Sequence, residues 1–212
     1  MPEGLAPLTF VDVSPRHLDR GSGISSFTTS EAGGSSSNAL EAELVAALHA
    51  ALFASEAPAS GTRRSHGAAT TGADVGIISP YKDQVKLIQS SCQRLGCSKP
   101  QLISTVDSFQ GREQEFIIIS CVRSGIGARG GGIGFLRDFR RMCVSITRAR
   151  RGLVLVGDAR YLAQEDPHWK ALVDHCSRHS AMITALPPIR QRPVPQLRVE
   201  SHPPSSVPEW FP

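Results

Sequence analysis

The fold is decided by residues 115–122, which read EFIIISCV and form a continuous apolar run in the middle of the chain. An unbroken run of apolar and β-branched side chains is typical of a strand that is buried on both faces of a sheet. Residues 152–158 read GLVLVGD and repeat the pattern. The two runs therefore predict two strands in the core of the protein.

Shorter strands and amphipathic helices are predicted on either side of these runs. Residues 8–13 (LTFVDV) and 75–79 (VGIIS) are short and rich in β-branched residues, as strands are. Between them, leucines recur every four residues, which predicts a helix with one apolar stripe. These leucines are Leu40, Leu44, Leu48 and Leu52.

Turn residues predict the starts of two further helices. Ser79 is suited to cap a helix N-terminus, and Pro80 fits the first turn, where no N–H needs a partner. Asp166 and Pro167 give the same signal before the last helix. Because buried strands alternate with amphipathic helices, we predict an α/β domain with a mostly parallel sheet flanked by helices.

Polar and proline-rich segments interrupt and end the predicted domain. The chain has 212 residues, of which 40% are hydrophobic, which suits one domain. We predict that this domain covers residues 1–185, with disordered insertions near 16–38 and 57–72, where Ser, Gly and Thr replace periodic apolar residues. Residues 186–212 are rich in proline and are predicted to form a disordered tail.

Composition favours an intracellular protein, cytoplasmic or nuclear. The formal net charge of +4 permits nucleic-acid binding without demanding it. The five cysteines lack the paired spacing of a zinc site or a disulfide framework, which favours reduced thiols. No apolar run approaches the roughly 20 residues of a membrane span, and the start MPEGLAPLTF does not resemble a signal peptide. No membrane partner is therefore expected.

Residues 137–151, RDFRRMCVSITRARR, hold a dense group of arginines. At about 100° per residue, a helix over this segment would separate an arginine face from an apolar face. Arg150 and Val144 fall on the wrong sides, so either the helix ends before Arg150 or the pattern is imperfect. Crowded guanidinium groups repel one another unless an anion lies among them, which predicts phosphate as the partner. The alternative is a solvated basic helix paired with carboxylates from elsewhere. The arginine face would hold Arg137, Arg140, Arg141, Arg148 and Arg151, and the apolar face Phe139, Met142, Cys143, Ile146 and Ala149.

A polar cluster precedes the first core strand. Polar residues at strand ends in an α/β sheet lie where ligands usually bind. Taken alone, the cluster is also compatible with ordinary turn chemistry. Its members are Thr105, Asp107, Ser108, Gln110, Gly111, Arg112 and Glu113.

Two long segments together resemble a known family. Residues 104–124 (STVDSFQGREQEFIIISCVRS) and 133–158 (IGFLRDFRRMCVSITRARRGLVLVGD) resemble motifs V and VI of superfamily 1 helicases. The similar group includes the nonsense-mediated-decay helicase, senataxin and the replication nuclease-helicase. The resemblance implies a RecA-like sandwich of the P-loop-NTPase type, and the second of its two lobes, which lacks the P-loop. Three upstream pieces occur in the family's order, namely PLTFVDV (7–13), SSNALEAE (36–43) and VGIISPYKDQV (75–85), which looks like motif IV, so that the resemblance covers residues 5–176.

The resemblance implies a group of residues that face a nucleotide. Arg148, in the TRAR sequence, matches the arginine finger that reaches the γ-phosphate of ATP, and it is the predicted catalytic residue. Gln84 matches the motif IV glutamine, and Gly111 and Glu113 match motif V positions near the nucleotide. ATP and Mg²⁺ would be held mainly by a first RecA-like lobe, in the same or another chain.

The resemblance also implies contacts with a single strand of RNA or DNA. Thr105, Asp107 and Ser108 match the part of motif V that lies near the nucleic-acid backbone. Two positions depart from the family pattern. Val85 stands where some relatives have a phosphate-contacting arginine, and Cys143 stands where motif VI usually has asparagine, so contacts and packing near the arginine finger are expected to differ.

The sequence contains no phosphate-binding loop, which needs Gly-Lys followed by Ser or Thr. We therefore expect this chain alone to bind ATP poorly and not to hydrolyse it. Two functions stay open: the second motor lobe of an ATP-dependent RNA or DNA helicase, and a non-catalytic nucleic-acid or protein-binding module derived from such a lobe. The lysines are Lys82, Lys86, Lys99 and Lys170, preceded by Tyr81, Val85, Ser98 and Trp169.

Two further patterns are not expected to form sites. Gly125, Gly127 and Gly130 fit the GxGxxG spacing, but no helix signal follows directly. The histidines at 168, 175 and 179 lack accompanying ligands on one helical face, so no metal site is predicted.

Overall fold

A computed structural model describes residues 6–14, 36–53, 75–97, 102–124 and 132–184 of the chain. The strands in these ranges are β1 (Leu8–Asp12), β2 (Val75–Ser79), β3 (Leu102–Thr105), β4 (Gln114–Ser120), β5 (Ala149–Gly157) and β6 (Met182–Ile183). The α-helices are α1 (Ala39–Phe53), α2 (Lys82–Arg94), α3 (Phe139–Ile146), α4 (Ala159–Glu165) and α5 (Pro167–Arg178). Short 3-10 helices in the same ranges cover Asp107–Phe109 and Gly134–Arg137.

The six strands form one parallel sheet in the order β3-β2-β4-β5-β1-β6. Helices flank this sheet, so the protein is an α/β RecA-like sandwich, and the predicted fold class is confirmed. The two predicted core strands are β4 and β5, which pair in the middle of the sheet, with Ile117 opposite Leu153. β5 begins at Ala149, three residues before the apolar run that predicted it.

Side chains that alternate along the strands build one apolar core on each face of the sheet. On one face, Phe116 and Ile118 of β4 pack with apolar residues of α1 and α2. On the other face, Ile117 and Ile119 pack in the core that contains Trp169 of α5. Because both faces are covered, functional side chains are left to the two ends of the sheet.

The arginine segment forms a helix over only part of residues 137–151, and this helix ends before Arg150. α3 ends at Ile146, Arg148 lies in the following turn, and the next residues belong to β5. Phe139, expected on the apolar face, is 49% exposed. Pairing of β5 with β4 outweighs the helical periodicity of this segment, because it buries a central strand, so the five arginines share no helical face.

The predicted helix starts differ in their outcome. Ser79 does not cap α2, since it is buried and its hydroxyl donates to the carbonyl of Ser120. The N-cap position of α2 is Tyr81, whose side chain makes no capping bond. Asp166 does cap α5 by accepting from the N–H groups of His168 and Trp169.

Several predicted features lie outside the described residues. They are residues 16–35 of the first insertion, the second insertion at 57–72, the tail at 186–212 and the glycines of the GxGxxG pattern. The end of the first insertion is described, and Ser36 and Asn38 are both buried there. Buried structure therefore begins before the predicted boundary of that insertion.

The helices in the described ranges do not combine the length and the apolar character needed to cross a bilayer. The five cysteines form no disulfide within the described residues, and Cys92, Cys121 and Cys176 are buried.

Candidate functional site

The polar cluster between β3 and β4 is divided between the two ends of the sheet. β3 and β4 both run parallel to β2, with Thr105 opposite Ser79 and Phe116 opposite Val75. Thr105 therefore lies at the carboxyl edge of the sheet, whereas Glu113, immediately before β4, lies at the amino edge. The predicted site residues thus belong to two separate groups.

Phe109 fixes the segment that crosses between the two edges. Its side chain is fully buried in the core on one face of the sheet. It packs on Gly76 of β2, where an added Cβ would lie 2.6 Å from the ring carbon Cζ of Phe109. The missing side chain at Gly76 therefore lets the crossing segment lie directly on β2.

The amino edge brings together Gly111, Glu113 and Arg148, three of the residues predicted to face a nucleotide. Gly111 has a φ of +78°, which favours glycine, and it forms the turn before β4. The N–H of Gln114 donates to the carbonyl of Arg148 at 3.1 Å. This backbone bond joins the motif V segment to the motif VI turn.

The Arg148 side chain lies at the surface, partly buried against the end of α3. Its Nε donates to the carbonyl of Val144 at 2.9 Å, and its Nη2 donates to the hydroxyl of Thr147 at 3.1 Å. A cation is favourable at this position because the last carbonyls of a helix carry partial negative charge. The guanidinium is therefore held near the amino edge and stays outside the core.

Carboxylates lie beside other arginines of residues 137–151. Arg150 Nε contacts Glu113 Oε2 at 3.1 Å, and Glu115 lies 3.9 Å from both Arg150 and Arg151. Arg137 lies 3.9 Å from Glu165. These contacts agree with the alternative interpretation of the arginines, in which carboxylates from elsewhere pair with them.

Gln84, the remaining residue predicted to bind ATP, is fully buried. Its Oε1 accepts from the N–H of Asn38 at 2.7 Å, and its Nε2 donates to the Asn38 carbonyl and the Ser120 hydroxyl. The amide is thus used to join α2, the start of α1 and the end of β4. In this structure it does not face a solvent-exposed nucleotide surface.

The same buried network contains Glu41 of α1, which the sequence reasoning did not single out. Glu41 Oε2 accepts from the Ser120 hydroxyl and the Val122 N–H, both at 2.7 Å. Complete burial raises the pKa of Glu41 to about 8, because the charged form loses its hydration, and the nearby Asp158 adds to the effect. The available signal was the segment SSNALEAE, which resembled the family without a predicted role.

The carboxyl edge brings together Thr105, Asp107 and Ser108, the residues predicted to contact nucleic acid. Thr105 donates its hydroxyl proton to Ser108 Oγ at 3.0 Å. The Asp107 carboxylate accepts from Nε and Nη2 of Arg141 on α3. This ion pair therefore joins the motif V segment to α3 of the motif VI segment at the carboxyl edge.

A cavity of about 430 Å³ lies at this carboxyl edge. Its lining includes Lys82, Lys86 and Arg141, which are cationic, and the half-exposed ring of Phe135. The sequence reasoning placed Arg141 on the predicted phosphate-binding arginine face, but it assigned no site role to Lys82, Lys86 or Phe135. Lys82 and Lys86 could have been identified because they follow the carboxyl end of a predicted strand. Phe135 could have been identified because it lies in the GFLRD sequence before the arginines.

Comparisons with known proteins agree on one group. The sequence pattern of the family described as "AAA domain" matches residues 1–160. A curated relative from Dictyostelium discoideum, "Regulator of nonsense transcripts 1", is 42% identical over 126 residues, which are 57% of this chain and 9% of the relative. "Probable helicase senataxin" from Mus musculus is 37% identical over 146 residues, which are 64% of this chain and 5% of the relative. The chain thus spans less than a tenth of the length of these relatives.

Proposed function

Since the chain belongs to the AAA domain family, and to the superfamily 1 helicases of the nonsense-mediated-decay and senataxin group, we propose that it is the second motor lobe of an ATP-dependent RNA or DNA helicase. In this role it supplies an arginine finger and contacts to the nucleic-acid backbone. A first RecA-like lobe, in the same or another chain, holds most of the ATP and its Mg²⁺.

The position of Arg148 is the observation that carries this proposal. Its backbone lies at the amino edge, where the N–H of Gln114 in motif V donates to the Arg148 carbonyl, and its guanidinium bonds to the end of α3. Phosphoryl transfer spreads negative charge over the transferring oxygens, and a positioned arginine neutralises it. The guanidinium lies at the surface and is held by hydrogen bonds to Val144 and Thr147. It is therefore suited to reach a triphosphate bound by a neighbouring lobe.

The proposed ligands lie at opposite ends of the sheet. The nucleotide-facing group lies at the amino edge, and the single strand would lie at the carboxyl edge beside Lys82, Lys86 and Arg141. Cations at that edge favour phosphates of either RNA or DNA. Closure of the two lobes on ATP, and their release after hydrolysis, would then change the grip on the strand in each cycle.

The test is ATP turnover by the full-length protein with single-stranded RNA and with single-stranded DNA. We expect Arg148→Ala to lower kcat about a thousandfold or more, since an arginine finger contributes that much. Arg148→Lys keeps the charge and tests whether the planar guanidinium, with its paired N–H donors, is required. Arg178→Ala is the matched control, because Arg178 is exposed at the end of α5 and its one bond within the described residues goes to a carbonyl of its own helix.

An unchanged kcat for Arg148→Ala, in a variant that melts like the wild type, would contradict the arginine-finger role. The melting comparison is needed because Arg148 also bonds to the end of α3.

One observation favours the alternative, a binding module without catalysis. The Gln84 amide, which the resemblance assigns to ATP, is committed to hydrogen bonds inside the domain. Addition of this chain to its candidate first lobe separates the two functions. A motor lobe raises the ATPase rate of that lobe, whereas a docking module leaves the rate unchanged and still binds nucleic acid or protein.

A further inference from the structure

The cavity at the carboxyl edge has an apolar floor and a cationic mouth. Val106, Ile119 and Met142 line it and are buried, and the hydroxyl of Ser145, which also lines it, donates to the carbonyl of Arg141. Lys82 and Arg141 lie at its edge. The volume of about 430 Å³ falls within the usual range for small-ligand sites, roughly 300–1,000 Å³.

We propose that this cavity receives one unstacked nucleobase of a bound single strand, with Phe135 as the stacking surface and Lys82 and Arg141 beside the adjoining phosphates. This proposal rests on the proposed nucleic-acid function and adds a base-binding site to its backbone contacts.

The Phe135 ring is exposed and yet held in place. It is 46% exposed, unlike the large apolar side chains of the two cores. The buried Tyr81 ring meets it edge-on at a centroid distance of 5.6 Å, and the Arg141 guanidinium lies 4.8 Å from its centroid. Tyr81 is itself fixed, because its hydroxyl accepts from Arg123 Nε at 2.9 Å. A fixed aromatic ring stacks on a base with little loss of conformational entropy.

Charge at the mouth favours a nucleotide. Lys86 contacts Asp83 at 3.3 Å, and Arg141 contacts Asp107. Each of these two cations therefore has its own carboxylate partner. Lys82 is exposed and has no ion-pair partner among the described residues. An apolar floor below an excess of cations matches a nucleotide, in which one sugar joins an uncharged base to a phosphate.

Strand binding by the full-length protein tests the site. The probes are fluorescein-labelled oligothymidine and a strand of equal length whose central units are tetrahydrofuran abasic residues, which keep every phosphate. We expect the wild type to bind oligothymidine about tenfold more tightly than the abasic strand, in the range measured for one stacked base. Phe135→Ala should lose that tenfold preference and bind the abasic strand as the wild type does.

Phe139→Ala is the matched control. Phe139 is 49% exposed, packs on His168 and does not line the cavity, so its loss should leave both affinities unchanged. Phe135→Leu is the second variant, since it keeps apolar volume without a π-face and should also lose the preference. Thermal melting of each variant identifies any that fails to fold.

Equal binding of both strands by the wild type would overturn the base site and leave the motor-lobe proposal intact. Binding of neither RNA nor DNA strands would overturn both. If the cavity instead receives a side chain of the first lobe, Phe135→Ala will leave strand affinity unchanged and weaken the association of the lobes, which also overturns the base site.

Discussion

The guanidinium of Arg141 on α3 meets the carboxylate of Asp107 through two contacts, Nε to Oδ1 at 3.2 Å and Nη2 to Oδ2 at 3.3 Å. The side chains are 36% and 70% exposed, so the pair contributes at most about 1 kcal/mol to folding. The fold does not depend on this ion pair. Arg141 is therefore available to a competing anion such as a phosphate.

Arg141→Gln is expected to weaken single-strand binding and to make it less sensitive to salt. The loss of one phosphate contact lowers the slope of log K against log salt by about 0.7 for a single strand. Titrations at several salt concentrations measure the slope. Arg178→Gln is the control, since it removes the same charge from an exposed site on α5. Equal slopes for the two variants would show that only overall charge matters.

Gly76→Ala is expected to destabilise the domain by about 1–3 kcal/mol, the usual cost of overpacking a core. The new methyl group would meet the Phe109 ring at 2.6 Å and Ile117 Cδ1 at 2.8 Å. Urea denaturation measures the change. Phe109→Leu in the Gly76→Ala background should cost less than the sum of the two single changes, because the leucine makes room. Strict additivity would mean that the two residues do not meet.

Glu41→Gln is expected to remove a pH dependence of stability. The folded protein holds the Glu41 proton up to about pH 8, whereas the unfolded chain releases it near pH 4.5. Between these values the folded state binds more protons, so the free energy of unfolding falls as pH rises, by on the order of 1 kcal/mol per pH unit. The stability of Glu41→Gln relative to the wild type should therefore increase from pH 5 to pH 8. A constant difference would indicate an ordinary pKa.

Gln84→Ala is expected to lower the free energy of unfolding by about 2–4 kcal/mol. It removes three hydrogen bonds and leaves the Asn38 N–H and the Ser120 hydroxyl without this partner in a buried network. Gln89→Ala is the matched control, because Gln89 lies on the same helix and is exposed, so its change should stay within about 0.5 kcal/mol. Equal melting curves for the two variants would contradict a structural role for Gln84.

Local pattern predicted most of the fold. β1, β2, β4, β5, the leucine helix and the last helix follow from apolar runs and four-residue spacing, because these patterns reflect which side chains each element buries. The same reasoning did not place five arginines correctly, because the helix in this segment ends at Ile146 and residues 149–151 belong to β5. There the burial of β5 beside β4 is a non-local effect, which periodicity within the segment cannot register.

The arrangement of the candidate site was not predicted from the sequence. Gly111, Glu113 and Arg148 do lie together, whereas Gln84 lies in a buried network and the cavity beside Phe135 had no predicted role. Side chains from distant segments line that cavity, so no single stretch of sequence describes it.

The sequence by itself determined the family, the alternation of strands and helices, and which residue types carry charge. Only the tertiary structure decided that Thr105 and Glu113, eight positions apart, lie at opposite ends of the sheet. The physical reason is that β3 and β4 run in the same direction, so the chain must return from the carboxyl end of β3 to the amino end of β4. That direction depends on pairing with β2, and pairing between strands is a property of the folded chain.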